Sequence, residues 1–191
     1  MYLTTGGVAS IALLPPLSFE QLNSIINNIK AYEILDSRGI PTISTEVILK
    51  NGVIGKASIP SGASTGVHEA LELRDNDKSR FFGKGVLKSI SLIQSIILDI
   101  LQGLDVRDQN NIDSILLELD GTKNKKKLGA NTILSVSLAC AQAAANYEKV
   151  ELYTLIGGLN VNNLPVPLVN IVNGGAHASN NLDIQEYMLA P

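Results

Sequence analysis

Apolar and polar positions change rhythm several times along this chain, and each change marks an element. Residues 31–35 form a short apolar run. The cluster Asp36-Ser37-Arg38-Gly39, closed by Pro41, predicts a turn. Residues 43–49 alternate, with Ile43, Thr45, Val47 and Leu49 on one face and Ser44, Glu46 and Ile48 on the other. That is the period of a half-buried strand. Asn51-Gly52 offers the positive-φ pair of a tight hairpin turn, and residues 53–58 return as a third antiparallel strand.

The period then lengthens to that of a helix. Over residues 86–101, apolar side chains stand at 86, 87, 90, 93, 97, 100 and 101, and Gly103 stops the run. Asp108 is placed to cap a segment in which Ile112, Ile115, Leu116 and Leu119 recur at helical spacing, and Gly121 ends it. Residues 131–147, rich in Ala, Ser and Leu, predict a buried helix whose small side chains allow close approach. Strands first and helices after predict the α+β class. Past Gly157-Gly158 the character changes. Pro165-Val166-Pro167 leads into residues 168–172, apolar on both faces, which predicts a buried strand. A polar loop over 173–181 and a second strand over 183–189 follow. Residues 1–29 read as an extension of unknown role, with a short helix over 19–30.

Composition narrows the function classes. The chain has 191 residues, 45% hydrophobic, enough for a sizeable core. With fifteen basic and eighteen acidic residues, its net charge of −3 makes no electrostatic case for nucleic acid or an anionic membrane. The basic run at 123–127 lies between Gly121 and Gly129 and reads as a solvated loop. Cys140 is the only cysteine, so an internal disulfide and a Cys-based zinc site are both excluded. Its apolar surroundings predict a buried, inert thiol, and the usage fits a reducing compartment, the cytoplasm. Residues 1–17 carry no Lys or Arg, unlike a secretory or transit peptide, and their apolar stretch is too short and too broken by Pro and Gly for a membrane span.

Candidate chemistry concentrates in Pro60-Ser61-Gly62-Ala63-Ser64-Thr65-Gly66. The glycines let the backbone move and approach a ligand closely. The hydroxyls are hard oxygen donors, suited to magnesium or phosphate. Taken alone, such a loop is also a common turn, and without a Lys-Ser/Thr ending it is not a Walker loop.

Its surroundings decide between these readings. Glu33-Ile34-Leu35-Asp36-Ser37-Arg38-Gly39-Ile40-Pro41-Thr42 resembles the opening signature of enolases, and residues 60–66 resemble their first catalytic loop. Glu69-Ala70-Leu71-Glu72-Leu73-Arg74-Asp75, Lys84-Gly85-Val86, Leu119-Asp120-Gly121-Thr122, Gly129-Ala130-Asn131 and Asn170-Ile171-Val172-Asn173-Gly174-Gly175 follow in that family's order. The resemblance runs from about residue 29 to 191, and residues 77–83 are most similar to bacterial members.

The resemblance implies an α+β fold: an enolase N-terminal-like domain over 30–155, a three-stranded antiparallel meander followed by helices. The first two strands of an α/β (TIM-type) barrel then occupy 164–191. It implies a phosphopyruvate hydratase, the magnesium-dependent lyase of glycolysis that interconverts 2-phosphoglycerate and phosphoenolpyruvate, and a homodimer when complete. It also implies a cytoplasmic protein whose relatives occur at cell surfaces too. Carried over residue by residue, Ser64 matches a loop serine that binds Mg2+. His177 matches a catalytic histidine near the substrate, Gln185 a substrate-binding glutamine, and Glu186 an acid that supports catalysis and contacts substrate. Ala176 departs from the Glu that many bacterial members carry there. The family's general-base lysine, proton-donor glutamate and first-site carboxylates have no counterpart here. The expectation is therefore a truncated chain, inactive alone; the alternative is a non-catalytic fragment or an interaction protein that retains the N-terminal domain.

Overall fold

The computed structural model describes residues 22–62, 66, 68–158 and 162–191. Three antiparallel strands, β1 (Ile26–Leu35), β2 (Pro41–Leu49) and β3 (Ile54–Ser58), form a sheet in the order β1-β2-β3. The helical part follows: α1 (Leu87–Leu92), a π-helical segment (Ile93–Ile97), α2 (Leu98–Leu101), α3 (Gln109–Asp120), α4 (Ala130–Glu148) and α5 (Leu152–Gly157). A separate hairpin, β4 (Val169–Asn173) with β5 (Glu186–Leu189), completes the described chain. The α+β architecture expected from the sequence is present.

The central strand shows why alternation was readable. Ile43, Thr45, Val47 and Leu49 are all buried on the face crossed by α4. That helix comes unusually close. A methyl group added at Gly55 in β3 would lie 2.1 Å from the Ala143 nitrogen and 2.3 Å from the Ala139 carbonyl oxygen. Only glycine in the strand and alanine in the helix permit this contact. Thr45 also donates a hydrogen bond to Ser135 of α4 at 3.0 Å, so the buried hydroxyls pair with each other.

The two ends of α3 follow their capping chemistry. The Asp108 carboxylate accepts from the Asn111 amide at the start of α3, and Gly121 takes the left-handed conformation at its end. The extended strip before α1 is tied down by two carboxylates. Asp75 accepts from the Leu87 and Lys88 amides at 2.9 and 2.8 Å. Glu33 accepts from the Val86 amide at 2.9 Å and pairs with Arg80.

Several expectations are corrected. Of the helix expected over 19–30, residues 22–23 are helical and those before 22 lie outside the described residues, but it does not reach residue 30: β1 starts at Ile26, and Ile26 and Ile29 are fully buried against the core. Their pairing with β2 outweighs local helical preference. In the β2–β3 turn only Gly52 has positive φ, because the connection is the three-residue loop Lys50-Asn51-Gly52 between paired Leu49 and Val53. In the helical stripe, Leu87 and Ile100 are exposed. The buried line is Val86, Ser89, Ile93, Ile97 and Leu101, and the π-helical segment suits its four-residue recurrence. β4 forms where expected, but all five of its residues are exposed, since no described element covers its faces. β5 begins at Glu186 rather than 183, because the Gly174 and Gly175 amides take the Gln185 and Leu182 carbonyls and turn that stretch into a loop. The basic run is the exposed loop expected, with Lys125 at positive φ.

Candidate active site

Two parts of the chain carry the candidate chemistry. The first is the frame around the 61–66 loop. Ser64 lies outside the described residues, but the loop's attachment is defined. The Gly62 amide donates to Glu72 at 3.0 Å, Arg74 donates to the Ser61 hydroxyl at 3.1 Å, and Arg38 donates to the Ser61 carbonyl at 2.9 Å. Arg74 is the hub. It pairs with Glu72 at 2.5 Å and donates to the Pro41 and Lys84 carbonyls at 2.6 and 2.7 Å. The planar fork of arginine can serve several acceptors at once, which a lysine could not do in this geometry.

Beneath this frame, Asn131 at the start of α4 exchanges two hydrogen bonds with the Leu73 backbone, at 2.9 and 3.1 Å. A cleft of about 380 Å³ opens there, lined by Ile59, Pro60, Gly62, Gly66, Glu72 and Arg74 among others. Sequence reasoning assigned no role to Arg38, Glu72 or Arg74. The available signal was the alternation Leu71-Glu72-Leu73-Arg74, which sets a fixed ion pair on one side of an extended strip.

The second part is the β4–β5 hairpin. A short 3-10 turn, Gly175–His177, follows β4. Gly174 makes the fold-back possible: a methyl group there would lie 2.4 Å from the Ile184 carbonyl oxygen. The turn sets His177 over the start of β5. His177 Nδ1 lies 2.8 Å from Glu186 Oε1, and His177 Nε2 lies 2.7 Å from Gln185 Nε2. The structure thus brings three of the four sequence-predicted site residues into one cluster. Their side chains are partly open to solvent, His177 at 28% and Glu186 at 31% exposure. Asn180 donates to the Asn173 carbonyl at 2.9 Å and closes the loop behind them.

A carboxylate oxygen accepts, so the proton between His177 and Glu186 lies on Nδ1. Such a dyad presents a histidine with a defined orientation, suited to contacting a polar ligand or moving a proton. Among the described residues no group of three or more His, Cys, Asp or Glu could hold a metal ion, so those residues do not by themselves fit a magnesium site.

With this arrangement in place, the comparison with known families is decisive. Residues 26–156 match the family model for the enolase N-terminal domain. The chain belongs to the enolase family. Residues 161–191 match the model for the enolase C-terminal TIM barrel domain, and this stretch contains the whole β4–β5 hairpin and the His177 cluster. Enolases form a lyase-type enzyme family with a TIM barrel. No helix among the described residues is long and apolar enough to cross a membrane.

Proposed function

We propose that this enolase-family chain serves the dehydration of 2-phosphoglycerate to phosphoenolpyruvate, supplying the Ser64 hydroxyl and one wall of the site. The observation that carries this reading is the His177–Gln185–Glu186 cluster. Three residues matched to the family's site by motif alone stand within hydrogen-bonding distance in the folded hairpin. In this reading His177 contacts the substrate, Gln185 helps to bind it, and Glu186 orients His177 and supports acid catalysis. Magnesium is the cofactor, stabilising charge on the substrate carboxylate when bound. The chain's own contribution to the ion is the Ser64 hydroxyl, a hard oxygen of the kind magnesium selects. The bacterial-type segment at 77–83, a homodimeric assembly and a cytoplasmic location belong to the same reading.

The 191 residues alone are expected to be inactive. Among the described residues no group of three or more His, Cys, Asp or Glu could hold a magnesium ion. The test is phosphoenolpyruvate formation from 2-phosphoglycerate with magnesium present. The chain alone should give no turnover above background. Mixed with a polypeptide carrying the later barrel strands it should turn over, and His177→Ala should lower that rate by about 10²–10⁴-fold. Turnover by the chain alone would refute the expectation of inactivity, and none from the folded, associated mixture would refute the assigned reaction.

One observation favours a second reading, a binding protein without turnover. Ile171, Val172, Leu182, Tyr187, Met188 and Leu189 line an exposed, almost wholly apolar groove on the hairpin. Stable association of the mixture with no turnover would mark that case.

A further inference from the structure

The grip on His177 uses both ring nitrogens, and the two partners differ in kind. Glu186 offers an oxygen that accepts, so Nδ1 holds its hydrogen. Gln185 offers an amide, whose NH2 donates to the free pair on Nε2 in the arrangement described. Together they describe a neutral imidazole in the Nδ1–H form. An amide also carries an oxygen. If Nε2 gains a proton, a half-turn of the Gln185 side chain presents that oxygen to accept the new N–H. Glu186 has no such second face, and its acceptor matches an Nδ1–H in both protonation states.

We propose that His177 is a one-port proton carrier. It takes and returns a proton through Nε2 alone, Glu186 is the positioning residue that reserves Nδ1, and Gln185 is an adaptable gate on Nε2. The step balances simply. The Nε2 lone pair takes a proton from water, whose oxygen keeps the bonding pair, and the Gln185 amide turns to accept; Nε2–H then returns the proton to the oxygen of a ligand hydroxyl. A ligand hydroxyl reaches Nε2 by displacing Gln185, and Glu186 keeps the ring from swinging away. The proposal rests on the functional reading above only for the identity of that hydroxyl; the tautomer is a property of the hairpin itself.

The chain has only two histidines, His68 and His177, which makes the test direct. With 15N-labelled histidine in the full 191-residue chain, long-range 1H–15N spectra at about pH 8, where imidazole is ordinarily neutral, report which ring nitrogen is protonated. His177 should be mostly Nδ1–H, the form free histidine disfavours. Glu186→Ala should swing it to mostly Nε2–H. Gln185→Ala should leave it mostly Nδ1–H, because Glu186 sets the tautomer. The spectrum of β5 amides in each variant shows whether the hairpin has kept its pairing. An Nε2–H majority in the unaltered chain overturns the proposal. So does an Nδ1–H majority that survives Glu186→Ala, or one that vanishes in a paired Gln185→Ala hairpin. This readout involves no turnover, so its failure is distinct from a failure of the assigned reaction.

Discussion

Two residues of the core show how a neighbourhood sets the behaviour of a single group. Asp120 is only 2% exposed, at the end of α3. Burial raises its pKa, but hydrogen bonds from the Leu128 amide, the Thr122 hydroxyl and amide, and the Lys127 amide outweigh burial and hold it below the ordinary carboxylate value. A carboxylate with a depressed folded pKa contributes stability that is fully present above its unfolded value of about 3.9 and is lost as pH falls through the folded one. Asp120→Asn turns an NH2 group toward backbone donors and is expected to cost about 1–3 kcal/mol near neutral pH. Urea unfolding should show that cost shrinking below about pH 4; a cost unchanged in acid would contradict this account. Cys140, fully buried on α4, has its thiol pushed up to about 12, by burial first and by the Asp113 charge second. Alkylating reagents should leave it untouched in the folded chain at about pH 8 and modify it once denaturant is added. That residue was legible beforehand, because an apolar run is enough to predict a buried thiol. Arg74 was not. Its partners are Glu72, Ser61, Pro41 and Lys84, and no local pattern shows that one guanidinium will meet all four.

Elements were legible where one face is buried more deeply than the other. The alternation of β2 announced itself because α4 covers one side of the sheet. Helix α3 showed both its cap and its stop, since Asp108 and Gly121 act within a turn of their own positions. β1 was misread at its start because residues 26–30 carry little local strand signal and gain it from the register in which Ile26, Asn28, Ile29 and Lys30 pair with β2. The contact of β3 with α4 gives the element-scale prediction. Gly55→Ala forces a methyl group into the α4 backbone, where neither side can yield cheaply. The expected loss is about 1–3 kcal/mol or more, read as a lower urea midpoint. Lys56→Ala, next along β3 with an exposed ion pair to Glu46, should cost less than about 1 kcal/mol. Equal losses at the two positions would mean that the close approach is not what constrains this strand.

At the scale of the whole molecule, the chain divides its apolar surface unevenly. The core cluster joins β1, β2 and β3 to α1–α4 and leaves Ile43, Val47, Ile93, Ile97, Ile112 and Leu116 with no exposure. Among the described residues nothing comparable covers the β4–β5 hairpin: Val169, Ile171, Tyr187 and Leu189 are each close to half exposed or more. An uncovered two-stranded hairpin is marginal in water. Limited proteolysis should therefore leave a resistant fragment spanning about residues 26–156, the extent of the N-terminal family match, while the hairpin is cut first. Mass spectrometry that finds no fragment near that span would show that the first part does not fold as an independent unit.

The amino-acid sequence by itself determined the family, the order of strands and helices and the buried cysteine, and it supplied His177, Gln185 and Glu186 as candidates. These follow from local periods, from caps and stops that act within a few residues, and from motifs in a fixed order. Only the tertiary structure decided that Glu186 and Gln185 take opposite nitrogens of one ring. It also decided that Arg74 braces the loop and that the apolar β4 stands uncovered. The physical reason is the same in each case. Pairing between residues far apart in the chain depends on register and packing, set by all the elements together rather than by any one segment.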